Sequence, residues 1–261
     1  MKGKILLNLL TMAACSLFAA DSSIKDDLTS AAKKLAEKDN YSWKSTADFG
    51  NFASSTEGKT DKDGLVALAI TSGDNTREAF LKGGKGALKN REEVWQSLAE
   101  LEAASGEGRG RQFLLRRLQN FKAPAEEALN LVAKVSELKK DGDTYSGDLT
   151  EVGAKELLTL GRRSSADAPG PKNAKGSVKF WLKDGVLSKY ELKQQGTINF
   201  NGDDRDIEGT TTVEIKNAGT TKIEVPEDAK KSCLPDAGGP VLPKGDFDKS
   251  PMLLPKPRSS S

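Results

Sequence analysis

From Ser177 to Val225 the chain alternates in short runs: Ser177 to Leu182, Leu187 to Gln194, Gly196 to Asn201, Thr210 to Lys216 and Thr220 to Val225. A period of two sends successive side chains to opposite faces of a strand, so this stretch predicts an antiparallel meander with one face on a core. Asp184-Gly185 is a two-residue hairpin signal and Asn217-Ala218-Gly219 a second turn, while Pro226, lacking an N–H, ends the sheet. The same period appears earlier. Tyr41-Ser42-Trp43-Lys44-Ser45-Thr46-Ala47 places Tyr41 and Trp43 on one face and Lys44 on the other. Ser54 to Thr60 and Gly64 to Thr71 continue as strands, the latter with Val66, Leu68 and Ile70 alternating, and Arg77 to Leu88 adds a weaker pair around Gly83-Gly84. Two meanders commit the chain to a sheet-based fold.

Helical spacing fills the remainder. Ser23 is placed to cap a helix whose Ile24, Leu28, Ala31, Ala32 and Leu35 share one stripe, ending at Asp39-Asn40. From Arg91 the period is again helical, with Val94, Trp95, Leu98 and Leu101 on one face and Phe113, Leu114, Leu118 and Phe121 on another. Pro124 stands at a helix start and Ala128, Leu131, Val132 and Val135 follow at helical spacing. A strand Thr144 to Leu149 leads to Thr150, which can cap a helix Glu151 to Leu160; Gly161 to Lys175 reads as a loop.

Met1-Lys2-Gly3-Lys4 is a short positive head on the mostly apolar stretch Ile5 to Phe18, and small residues follow at Ala19 and Ala20. Such a stretch is short for a membrane span and reads as an export signal over residues 1–20, which places the domain in the periplasm or outside the cell. Thr11-Met12-Ala13-Ala14-Cys15 resembles a lipobox, with Met12 where leucine is usual, so a second processing route stays open in which Cys15 is acylated and tethers the protein to a membrane. After Pro226, six prolines with scattered Gly and Ser describe a tail, residues 227–261, that is expected to be disordered.

Composition narrows the chemistry. The 261 residues contain no histidine, which removes the commonest general base near neutral pH and the commonest transition-metal ligand. With only Cys15 and Cys233, cleavage after Ala20 leaves no intramolecular disulfide, so packing must hold the fold. Forty Lys and Arg against thirty-eight Asp and Glu imply no polyanion partner, and nucleic acid is not expected.

Each motif has a bland account that outweighs the chemical one. Gly106-Glu107-Gly108-Arg109-Gly110-Arg111 has Arg111 where a dinucleotide fingerprint needs its third glycine, and reads as a loop. Asp203-Asp204-Arg205-Asp206 lacks calcium-loop spacing and reads as an exposed turn. Ser164-Ser165 and Lys172 form no serine–lysine motif, so neither a catalytic residue nor a cofactor or metal is expected. Arg111 to Lys122 is basic on one side with two phenylalanines on the other, as in a half-buried helix or a membrane-surface helix. Trp43, Phe49, Trp181, Tyr190 and Phe200 are large aromatics of the strands, with Phe180 beside Trp181, so both faces of that strand carry a ring. One face can serve the core; the other needs a helix, a partner or an apolar ligand.

The order of signal, amphipathic helix, meander, helical interruption and closing meander, with Lys183-Asp184-Gly185-Val186-Leu187 and the final Lys222-Ile223-Glu224-Val225-Pro226, resembles the periplasmic lipoprotein-carrier (LolA-like) superfamily and its related LprG/LppX-type lipid-binding proteins. Asn40-Tyr41-Ser42-Trp43 is also similar to a motif of secreted bacterial proteins that brings no function with it. The resemblance implies an α+β domain over residues 21–226, in which a strongly curved antiparallel sheet forms an unclosed half-barrel with helices packed on or capping it. The helical insert, about 91–138, is longer than in the carriers, and no binding residue carries over. The implied function is non-enzymatic binding or carriage of a lipid or acylated protein, with Trp43, Phe49, Trp181, Tyr190 and Phe200 as candidates to line an apolar cavity and with membrane-surface contact open. The competing expectation is an envelope structural or protein-interaction module whose concavity is filled by its own side chains.

Overall fold

A computed structural model describes residues 14–50, 52–104, 109–159, 170–200 and 203–233. The chain begins with helix α1 (Ala14–Ala36) and continues through a meander of β1 (Asn40–Asp48), β2 (Ala53–Asp61), β3 (Val66–Ser72), β4 (Asn75–Lys82), β5 (Lys85–Lys89) and the short β6 (Trp95–Ser97). Three helices follow, α2 (Leu98–Ala103), α3 (Arg109–Gln119) and α4 (Pro124–Lys134). A second meander holds β7 (Val135–Asp141), β8 (Thr144–Leu149), β9 (Lys172–Lys183), β10 (Val186–Phe200) and β11 (Asp203–Lys216), with α5 (Glu151–Thr159) between β8 and β9 and α6 (Glu227–Cys233) at the end. All described strands join one antiparallel, strongly curved, unclosed sheet in the order β6-β5-β4-β3-β2-β1-β11-β10-β9-β8-β7. The first and last strands meet at its centre, with Trp43 opposite Ile215 and Ser45 opposite Val213.

Local chemistry accounts for the joints. Asp184 and Gly185 both take positive φ (52° and 70°), the backbone of the tight hairpin between β9 and β10. Thr150 accepts the Gly153 N–H through Oγ1 at 3.0 Å and so caps α5. Ser97 and Glu100 form a reciprocal capping box at the start of α2.

The concave face is covered by α1, which packs on α4 and crosses β10 and β7, and by α5 on β9 and β10. Leu28, Leu35, Leu131, Val178, Phe180 and Tyr190 are among its largest fully buried side chains. A smaller cluster lies on the opposite face, where Phe80 and Ala87 of β4 and β5 meet Ala229 of α6, with Ile223, Val225, Ala67 and Trp95 packed around them.

Several elements differ from the sequence expectations. Helix α1 is continuous through Ser23 rather than capped there, since the alanine-rich residues before it are good helix formers. Val94 and Trp95 do not share a helix with Leu98 and Leu101; Trp95 belongs to β6, and the capping box delays the helix to Leu98. The separate strands drawn on either side of Gln195 are one strand, β10, with a register shift between Gln195 and Thr197; Asp203 to Asp206, expected as a turn, opens β11. Thr220 to Val225 is not a strand. The Gly219 N–H donates to the Asn40 carbonyl at 2.7 Å and the Thr221 N–H to Asn40 Oδ1 at 2.6 Å, but β1 already has partners on both sides. No free ladder remains there, and the segment crosses to the outer face instead. Beyond Pro226, where no structure was expected, α6 forms and buries Ala229; residues 234–261 lie outside the described ones.

Candidate functional site

Tyr41 and Trp43 point from β1 into the concavity, as the alternation predicts, and both are buried. Trp43 stands opposite Gly58 of β2, and its indole lies flat against that glycine: a Cβ on Gly58 would come within 2.0 Å of Trp43 Cζ2. On its other side Trp43 stacks on Phe121 at 6.1 Å and 20°, with Tyr41 tilted at 5.8 Å. Phe49 repeats the device beyond the end of β1, half-buried over Gly209, whose Cβ would meet Phe49 Cδ1 at 2.2 Å. An isolated glycine in a strand signals such a close approach.

Tyr190 and Phe180 pair across β10 and β9 with rings 6.3 Å apart and no measurable exposure. The Tyr190 hydroxyl donates to Glu127 Oε2 on α4 at 2.5 Å. Glu127 retains some accessible surface as a residue, but burial of its carboxyl raises its pKa, opposed by the Tyr190 hydrogen bond and by the Arg117 charge. Burial, then the Glu127 charge and hydrogen bond, raise that of Tyr190 in turn. The hydroxyl of Tyr41, which accepts the Ala125 N–H at 3.4 Å, is pushed up to about 12, chiefly by burial.

The structure therefore gathers Tyr41, Trp43 and Tyr190 in one core, while Phe49 lies over Gly209 beyond the other end of β1. Trp181 is not part of this group. It projects from the outer face of β9, half-buried, with Lys189 Nζ 4.9 Å above its ring, so the cover expected for the second face is a lysine stem and cation. The side chains of Phe200 and Cys15 lie outside the described residues. Sequence reasoning missed Glu127, whose amphipathic helix offers no sign that one carboxylate turns inward.

Two recesses flank the filled core. One, of about 200 Å³, lies between the Gly83-Gly84 turn and the end of α3 and is lined by Val66, Leu81, Leu118 and Phe121 on one side and by polar groups such as Lys85 and Glu126 on the other. The second, about 310 Å³, is polar and sits on the outer face across β7, β8 and β9, lined by Glu137, Lys139, Ser146, Asp148 and Lys179. Among the described residues no group of three or more Cys, Asp or Glu side chains could hold a metal ion. Asp204 is occupied by Lys172 at 2.8 Å and Asn199 at 3.0 Å, which hold its carboxyl below the ordinary range.

Above the first recess runs α3, which packs against α2 and β5 through Leu115 and Leu118, both buried. Lifting it would uncover Leu114, Leu115, Leu118 and Phe121 together with Val66, Leu81 and Trp43, a continuous apolar layer.

No family model and no curated protein matches the chain. Among solved structures it is similar to LprF from Mycobacterium bovis, at 11% identity over 80% of this chain and 98% of that one, with a TM-score of 0.43. It is also similar to a DUF1329 family protein from Desulfovibrio piger, at 11% identity over 81% of this chain and 97% of that one, with a TM-score of 0.30. No residue role passes from either to this chain.

Proposed function

We propose that this is a non-enzymatic, extracytoplasmic binding protein that takes an acyl chain, of a lipid or an acylated protein, between α3 and the concave face of the sheet. The observation that carries the reading is the apolar layer beneath α3, continuous with the recess at its end and held down by few anchors. The energetics are of the right size. Re-exposing Leu114, Leu115 and Leu118 costs roughly 5–9 kcal/mol at about 1.5–3 kcal/mol each, and burial of about a dozen methylenes returns roughly 10 kcal/mol. The apolar layer then exchanges one cover for another. In this reading Trp43 and Phe121 floor the path, Phe49 lies away from it over Gly209, and Tyr190 stays a core residue.

A specific observation favours the competing reading, an envelope interaction module without a ligand: Tyr41, Trp43, Phe180 and Tyr190 fill the concavity, and the recess at the end of α3 is partly polar and smaller than the roughly 300–1,000 Å³ usual for ligand sites. Native mass spectrometry of the exported protein before and after solvent extraction, with uptake of an apolar fluorophore, separates the two. The carrier reading expects a co-purifying lipid, or dye uptake that grows when Leu118→Ala widens the recess. Absence of lipid with no uptake by wild type or variant refutes it. Cleavage after Ala20 makes such a binder diffusible and acylation at Cys15 makes it a tethered one; membrane fractionation of Cys15→Ala against wild type assigns the route.

A further inference from the structure

The outer side of α3 has its own chemistry, separate from what lies beneath it. Between Arg109 and Lys122 the chain carries Arg109, Arg111, Arg116, Arg117 and Lys122 and no acidic residue, in a protein whose charges otherwise nearly balance. Leu114, Leu115 and Leu118 face the core, which turns Phe113 outward at 46% exposure, one of the few large apolar side chains so placed among the described residues. Helical geometry sets Arg116 and Arg117 one turn after Phe113 and position 109 one turn before it. Of the acids nearby, Glu102 accepts from Gln119 at 3.1 Å and Glu126 pairs with Lys122 at 3.0 Å, while Glu127, held by Tyr190, also feels the charge of Arg117 from the inner flank of the helix.

We propose that this face docks on an anionic lipid surface, with Phe113 inserted among the acyl chains and Arg116 and Arg117 at the head groups. Charge complementarity carries the assignment. Arginines one turn after an exposed aromatic, with the opposite side of the helix apolar and packed inward, suit a helix lying in a membrane interface. Arginine stems can lie along the apolar boundary while their guanidiniums stay at phosphate level. A convex helix face without a pocket fits a fluid surface better than an acidic protein groove. The proposal rests on α3 itself and holds whether or not an acyl chain binds under the helix; if one does, docking would bring the path beneath α3 to the membrane that supplies its occupant.

The test is co-sedimentation of the exported protein with vesicles of phosphatidylcholine alone, or of equal parts phosphatidylcholine and phosphatidylglycerol. Each basic residue near an anionic surface is worth roughly a fivefold change in binding, so Arg116 and Arg117 together should make the mixed vesicles preferred by at least roughly twenty-five-fold, and the preference should fall steeply with added salt. The double change Arg116→Gln/Arg117→Gln should cut that preference by roughly twenty-five-fold. Phe113→Ser should weaken binding to mixed vesicles about tenfold or more through lost apolar burial. Thermal unfolding of Phe113→Ser should match wild type; the double variant also loses the Arg117 charge that acts on Glu127, and a single cooperative transition shows that it is folded. Equal binding to both vesicle types, an unchanged preference in the double variant, or tighter binding to polyglutamate than to mixed vesicles overturns the proposal. Dye uptake without vesicles reads the acyl-chain hypothesis separately, and both sets of variants should retain whatever uptake wild type has.

Discussion

The contact of Trp43 with Gly58 makes a quantitative demand on one methyl group. In Gly58→Ala the new Cβ would lie 2.0, 2.2 and 2.6 Å from three indole atoms, where ordinary contact begins at 3.4 Å. The ring must retreat by more than an ångström, and the stacked Phe121 stands in its way. Overpacking of a well-filled core costs about 1–3 kcal/mol. Against it runs the gain from replacing glycine, about 0.4–1 kcal/mol, because Gly58 does not require positive φ. The net expectation is destabilisation of about 1–2 kcal/mol, a fall in Tm of roughly 2–8 °C for a domain of this size. Urea unfolding followed by tryptophan fluorescence, with near-UV circular dichroism of the native state, reads both the energy and the displaced ring. Gly110→Ala is the control: nothing lies within 4 Å of a Cβ there, and the position is helical, so that change should stabilise by up to about 1 kcal/mol. Unchanged stability and an unchanged near-UV spectrum in Gly58→Ala would refute the stacking argument.

Glu127 provides a pH signature. Its native pKa is raised above the ordinary 4.5, so its contribution to stability is full below that value and is lost as pH rises through the native pKa. Glu127→Gln, which keeps an acceptor for the Tyr190 hydroxyl, should gain on wild type as pH climbs from 4.5 toward neutrality; urea midpoints that run parallel across this window would sink the claim. Ser97→Ala removes the acceptor of the Glu100 N–H, made at 3.1 Å, and should cost about 1 kcal/mol in the same assay; a cost near zero would mean that the box does not hold α2 in place.

Elements whose ends carry chemical marks were legible in the sequence. β8 runs from Thr144 to Leu149 as its alternation indicated, and Pro124 and Thr150 begin α4 and α5 because a missing N–H and a hydroxyl acceptor are local facts. Thr220 to Val225 has the same alternation as β8, yet whether a segment joins a sheet depends on a free edge, which the pairing of β1 removes. Trp95 fits a helical stripe and a strand equally well; the capping pair Ser97 and Glu100 just after it breaks the tie. In the site, the inward face of β1 could be read from period two. That Trp43 rests on Gly58, that Trp181 faces away and that Glu127 reaches Tyr190 are consequences of register between segments distant in the chain.

The seam between β1 and β11 bears on how the molecule assembles. Every other ladder joins strands that follow one another in sequence, save for the short interruption by α5, so each half of the sheet can form from nearby residues. The seam alone must close a loop spanning nearly the whole domain, from Ser42 to Lys216. Loop entropy grows only logarithmically, so the equilibrium penalty is modest, but the search is long. Before it closes, each half presents β1 or β11 as an exposed edge of nine or fourteen residues, open to pairing with another chain. The serine, threonine, lysine and glutamate along those strands keep the waiting edges soluble, so the polar outer side of the central strands guards the nascent chain as well as facing solvent in the finished one.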